Sequence, residues 1–335
     1  MSPVVKTSST WRVYVDDAVV ALSPSPEGRV AVAGAEGSVT LLSVDGVVEH
    51  RQALSLGCLA VAWSPAADRI AVGSVEGVDV LDTAGVVVGR RHGGWCSSVA
   101  WSIDGARLAA GVGRTAVVLD ADGTELFASD HDSTVTGVAW INRRFAAAAY
   151  GGVHVRYPSR GAPPDVLPFT GSLLALAVSP DRRWAASGNQ DATLHVWRIG
   201  RRGDELEMSG YPTKISTLAF SPDSTSLASG GGQDVTVWDF TGRGPRGSTP
   251  RILRAHDDVV TSLAWSPDGE LLAAAAGAGK VAGGAPRRGR PGHPLSALDS
   301  LTRHSPATAV GWDPAGRLLA GWADATVVAH APGRA

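Results

Sequence analysis

One short phrase occurs eight times in this chain, and that repetition restricts its possible folds more than any other property. The phrase is Val or Leu, a small residue, a bulky residue and, in most copies, Ser-Pro: VVALSP, AVAWSP, SVAWSI, GVAWIN, ALAVSP, TLAFSP, SLAWSP and AVGWDP. The bulky anchors are Leu22, Trp63, Trp101, Trp140, Val178, Phe220, Trp265 and Trp312, spaced by 38 to 47 residues. A unit of that length cannot bury its apolar face alone, so the copies must stack on one another to share a core. The residue before the anchor is Ala in every copy but the last, which has Gly311. Such a small residue suits a strand at which neighbouring backbones converge on a narrow channel.

A second phrase follows each anchor by about eight residues: a large apolar residue and then Ala, as in Ile70-Ala71, Leu108-Ala109, Trp184-Ala185 and Leu319-Ala320. After a Gly-bearing turn comes a third alternating segment in seven copies, among them SVTLLS, GVDVLD, TLHVWR and DVTVWD. Short alternating runs separated by turns predict antiparallel strands, and no stretch holds a helical period for more than two turns.

These residues resemble the WD-repeat β-propeller family. The best copies are LAFSPDSTSLASGGGQDVTVWDF, ending in Trp238-Asp239, and LAVSPDRRWAASGNQDATLHVWRI, with Asp191 and Trp197. The resemblance implies an all-β propeller of four-stranded antiparallel blades, with residues 1–335 as one domain. Eight copies predict eight blades. Seven is the alternative, because the third strand of the seventh copy dissolves into KVAGGAPRRGRPGHP and residues 277–295 read as a flexible insertion. The last copy lacks a fourth strand, which WRVYV at residues 11–15 can supply, closing the ring and covering a sheet edge. The family's stabilising tetrad of His, Ser or Thr, Asp and Trp is incomplete in every copy. His92, His131, His256 and His304 stand at the His position, Phe169 and Tyr211 replace it in copies five and six, and Asp191, Asp234, Trp197 and Trp238 fill other places. The expectation is that sheet packing holds the fold, without a shared polar network.

The formal charge of −2 excludes a polybasic nucleic-acid coat. No leader-like or membrane-length apolar run occurs, which predicts a cytoplasmic protein with no membrane association, and the Arg-over-Lys bias suggests a bacterial-type sequence. Cys58 and Cys96 occupy the core position held elsewhere by Val135, Leu173, Ile215 and Val260, so they read as small buried hydrophobes. No motif for a metal, a cofactor or a catalytic triad appears. GVGRTA and GAGK imitate phosphate loops, but the first lies between two strands and the second lacks the leading Gly and the trailing Ser or Thr.

The resemblance implies that partners bind at the rim formed by the turns that precede the first strand and join the second to the third. Those positions carry Glu36, Glu76, Trp95, Arg114, Tyr150, Gln190, Tyr211, Gln233 and Trp322. Trp, Tyr and Arg are the residue types that anchor interfaces. The chain is therefore expected to be a monomeric, non-catalytic scaffold that binds other proteins, with no cofactor and no metal. One alternative is a small-ligand binder or enzyme at the channel mouth, which needs acids or histidines where the repeat has Ala. A second is nucleic-acid association through the basic segment 280–293, which lacks aromatic residues for base stacking.

Overall fold

The computed structural model describes residues 10–54, 57–158 and 163–332. Its strands form eight sheets in chain order around a closed ring. Blade 1 runs Val19–Pro24, Val30–Gly34, Ser38–Leu42 and Val48–Ala53, and blades 2 to 6 repeat that meander from Cys58 to Arg254. Blade 7 consists of Val260–Trp265, Leu272–Ala276, Lys280–Gly284 and Asp299–Thr302. Blade 8 consists of Ala307–Trp312, Leu318–Trp322 and Thr326–His330, and its fourth strand is Trp11–Tyr14 from the other end of the chain. The ring is thus closed by pairing first strand with last, and the Trp11 indole also donates to the Val44 carbonyl of blade 1.

Eight buried clusters divide the interior, one between each pair of neighbouring blades. The second strands are buried apart from a leading arginine in blades 2, 3 and 4, whereas outer strands such as Val48–Ala53 and Val87–His92 alternate between half-buried and exposed. Buried strands lie between two apolar layers, while an outer strand needs one apolar face. The second phrase of the repeat sets this layering. Ile70 packs back on blade 1, and Ala71 meets blade 3. Because side chains alternate with period two, a shift of one residue exchanges the faces. In blades 5 and 8 the phrase is displaced in this way: Ala185 and Leu318 take the backward-facing position, so Trp184 faces blade 6 and Leu319 faces blade 1.

Four repeat anchors also bind the neighbouring blade through hydrogen bonds. The indoles of Trp101, Trp140, Trp265 and Trp312 donate to the carbonyls of Ala62, Ala100, Ala219 and Ala264, at 2.8–3.0 Å. Each acceptor is the small residue just before the preceding blade's anchor, so the indole passes over a backbone that a larger side chain would cover. Trp63 makes no such bond.

Blade 7 corrects the sequence reading. Its third strand forms from KVAGG, and DSLT at Asp299–Thr302 completes the blade. The intervening residues turn back over blade 6, where Pro294–Leu295 pairs in parallel with Arg251–Arg254 as a fifth strand. Arg287 contacts both Asp223 oxygens, at 2.7 and 2.8 Å, and lies over the Trp265 ring.

Candidate interaction surface on the upper face

Turns that precede each first strand and turns that join second to third strands gather on one end of the ring, here the upper face. The remaining turns form the lower face. In blades 3 and 4 the upper turns are stitched together by the backbone. Gly113 donates to the Trp95 carbonyl at 2.8 Å, Val135 donates to the Gly113 carbonyl, and the Tyr150 amide donates to the Ser133 hydroxyl. Gly113 has φ +58° within a tight turn, a conformation that costs glycine little. Arg114 is exposed, and its guanidinium donates to the His131 carbonyl. Trp95 is 67% and Tyr150 60% exposed on this rigid ground, so the two aromatics and Arg114 form one sector.

The other predicted rim residues separate from it. Glu36, Glu76, Gln190 and Gln233 are exposed around the remaining circumference. The Gln233 amide donates to the Asp257 carbonyl beside a cleft of ≈330 Å³ that Tyr211, Thr213 and Asp234 also line. Trp322 is a correction. It is fully buried at the end of a second strand, with its indole donating to the Gly279 carbonyl and Arg303 over its ring. An apolar strand-end residue facing the neighbouring blade is drawn into the interface, and the sequence position alone does not reveal the direction it takes.

Tyr211 is a second correction. Its hydroxyl lies 2.7 Å from Ser229 Oγ and accepts the Trp238 indole proton at 2.8 Å. Gly231 makes this possible, since a Cβ there would come within 2.7 Å of the Tyr211 ring. Blade 6 therefore does hold a polar triad, with tyrosine where the family has histidine. The other tetrad positions do not assemble. The Trp197 indole donates to the Pro168 carbonyl, Asp191 caps Thr193, and Asp234 faces Arg254 at 3.5 Å.

The repeat histidines divide by burial. His92 and His304 are exposed, and His92 lies 3.9 Å from the buried Asp79, whose carboxyl is raised by burial although Arg90 and His92 oppose the shift. His131 and His256 are buried. Burial, joined by His154 and Arg156 for the first and by Lys280 for the second, lowers each to about 4. His131 packs edge-on against His154, and His195 lies between Phe169 and Trp197. The loop aromatic thus docks on the third strand of the next blade whether or not a hydrogen bond forms. Cys58 and Cys96 are buried and unpaired, their thiols pushed up to about 12 by burial. Among the described residues no group of three or more His, Cys, Asp or Glu is placed to hold a metal ion, and no helix is long and apolar enough to cross a membrane.

Residues 166–198, 205–239 and 247–281 match the family "WD domain, G-beta repeat". Residues 166–281 carry WD40 repeats, and the whole chain folds as an eight-bladed β-propeller. Each matched repeat joins the outer strand of one blade to three strands of the next, so a WD40 repeat couples neighbouring blades covalently as well as by packing. Coronin-7 from Homo sapiens is 34% identical over 116 residues, 32% of this propeller and 12% of Coronin-7. The small ribosomal subunit protein RACK1 from Schizosaccharomyces pombe is 31% identical over 116 residues, 31% of this chain and 34% of RACK1. The propeller thus spans well under two thirds of either relative. Both are eukaryotic and lend no support to a bacterial origin. In three dimensions it is similar to the C-terminal WD40 domain of Sif2, with a TM-score of 0.80 at 16% identity, covering 96% of this chain and 99% of that one.

Proposed function

We propose that this WD40 propeller is a non-catalytic scaffold of the cytoplasm that captures protein partners with the Trp95, Arg114 and Tyr150 sector of its upper face. The observation that carries this reading is the exposure of two large aromatics on loops that hydrogen bonds hold rigid. Exposed aromatic surface is unfavourable in a free protein, and pre-ordered Trp, Tyr and Arg lose little entropy when a partner covers them. The alternatives have weaker support. The row of alanines on the inner strands offers a channel ligand no acid or base. The basic segment commits Lys280 to a strand and Arg287 to Asp223, which leaves fewer free charges for a phosphate backbone.

The test is affinity capture from the native cell with the intact protein beside a Trp95→Ala, Tyr150→Ala double variant. Proteins recovered with the first and lost with the second are the expected result. The same set captured by both would remove the sector from consideration, and a native-like circular dichroism spectrum of the variant excludes misfolding as the cause.

A further inference from the structure

The lower face, opposite the proposed capture sector, carries opposite charge on blades 1 to 3 and on blades 4 to 6. In the turns of blades 1 to 3, at residues 25–29, 43–49, 64–69, 82–86, 102–107 and 120–125, nine carboxylates stand against three arginines. In the described turns of blades 4 to 6, at 142–144, 156–158, 163–165, 179–183, 198–205, 221–225 and 239–251, eleven arginines stand against six carboxylates. The net charge of −2 conceals this polarity.

The basic half is one continuous surface. Arg144 of blade 4 and Arg202 of blade 5 both reach Asp165, each at 3.8 Å. Arg198 lies over the Trp184 ring against which Gly244 of blade 6 packs, and Arg246 donates to the Glu205 carbonyl. Most of its acids are already engaged: Asp165, Asp204, Asp223 and Asp239 each face an arginine within 4.0 Å. Arg183, Arg201 and Arg243 are exposed and have no acid within ion-pair distance among the described residues. On the acidic half Glu27, Asp45 and Asp68 are likewise exposed, with no base within ion-pair distance among the described residues. Ile103, 81% exposed, lies among them, and Tyr157 is its exposed apolar counterpart on the basic half.

We propose that the lower face is a self-complementary docking surface for a second copy of this chain. Turning one ring over onto another about an axis in the face, from the boundary of blades 3 and 4 to that of blades 7 and 8, sets blade 4 on blade 3, blade 5 on blade 2 and blade 6 on blade 1. Five of the six turns of blades 1 to 3 then meet an arginine-bearing turn, the turn at 25–29 meets the Asp223 turn that Arg287 covers, and Ile103 comes over the blade that carries Tyr157. A two-fold contact of this kind uses the same patch on both copies and closes without leaving a free end. A polyanion such as a nucleic acid would satisfy the basic half alone and leave the carboxylates of blades 1 to 3 without a counter-charge. A second copy satisfies both halves at once. This arrangement leaves the upper face free for capture and departs from the monomer expected from the sequence.

The experiment is sedimentation equilibrium of the full chain at about 50 mM and about 500 mM salt. It uses two variants: Arg183→Glu, Arg201→Glu, Arg243→Glu, and Glu27→Lys, Asp45→Lys, Asp68→Lys. The wild type is expected to dimerise at the lower salt, with affinity falling on the order of tenfold or more at the higher. Each variant alone should be monomeric, and an equimolar mixture should recover the dimer, because the exchanged charges then face one another. That recovery requires both variants to be folded. A wild type that stays monomeric at low salt, or a dimer that neither variant weakens, overturns the proposal. So does a monomeric wild type that binds a DNA duplex and loses it in the arginine variant, which would assign the basic half to a polyanion.

Discussion

Trp63, Trp101, Trp140, Trp265 and Trp312 occupy one repeat position yet differ in what their indole nitrogens do. Four donate to the preceding blade, and Trp63 does not. A single neutral hydrogen bond contributes about 1 kcal/mol net. Trp140→Phe and Trp265→Phe should therefore each cost about 1 kcal/mol more than Trp63→Phe, as read from urea unfolding midpoints. The buried histidines give a second residue-scale prediction. His131 and His256 are held neutral, at about 4 in the fold against 6.5 in the open chain. The unfolded chain thus takes up protons first as pH falls, and the stability from these groups is complete above about pH 6.5 and lost progressively down to about pH 4. Each shift is worth roughly 3 kcal/mol over that window. His256→Leu, which sacrifices no hydrogen bond, should flatten the fall in melting temperature between pH 7 and pH 4.5.

At the scale of elements, the closing strand carries more than its length suggests. Trp11–Tyr14 satisfies the open edge of Thr326–His330, and Trp11, Val13 and Val15 pack into the core between blades 8 and 1. Deleting residues 1–15 exposes that edge and removes three apolar side chains from the core, a loss of about 3 kcal/mol or more. The expected outcome is a lower denaturation midpoint together with concentration-dependent aggregation; an unchanged midpoint would mean that the ring closes by packing alone. Blade 7 illustrates the opposite case, in which an element was obscured in the sequence. KVAGG has one large apolar residue, so its pattern is weak. It forms a strand because Leu272–Ala276 on one side and Asp299–Thr302 on the other offer it hydrogen bonds, and Val281 enters the core shared with blade 8.

For the whole molecule, eight cores joined in a ring make every blade depend on both neighbours, whereas an open repeat array can lose a terminal unit. Intact protein should therefore unfold in one transition, with tryptophan fluorescence and far-ultraviolet circular dichroism coinciding. The chain lacking residues 1–15 should show non-coincident curves as blades 8 and 1 part first. Coincident curves in both forms would show that closure is not the source of cooperativity. The two proposals assign separate tasks to the two faces: protein capture to the aromatic sector above, and self-association to the charge-divided surface below.

Much of this was written in the linear order of residues. The period of the anchors determined the number of blades, the alternation of Val, Leu and Ala determined the strands, and WRVYV was legible as the missing strand, because these are local patterns repeated often enough to average out their exceptions. What the linear order could not decide was direction and neighbourhood. Trp95, in a turn before a first strand, and Trp322, at the end of a second, both map to the rim, yet one points to water and the other into an interface, since that choice depends on how an adjacent blade leaves or fills space. Tyr211 completes a triad only because Gly231 makes room for its ring. The charge polarity of the lower face arises from turns far apart in the chain, which closure of the ring gathers on one surface.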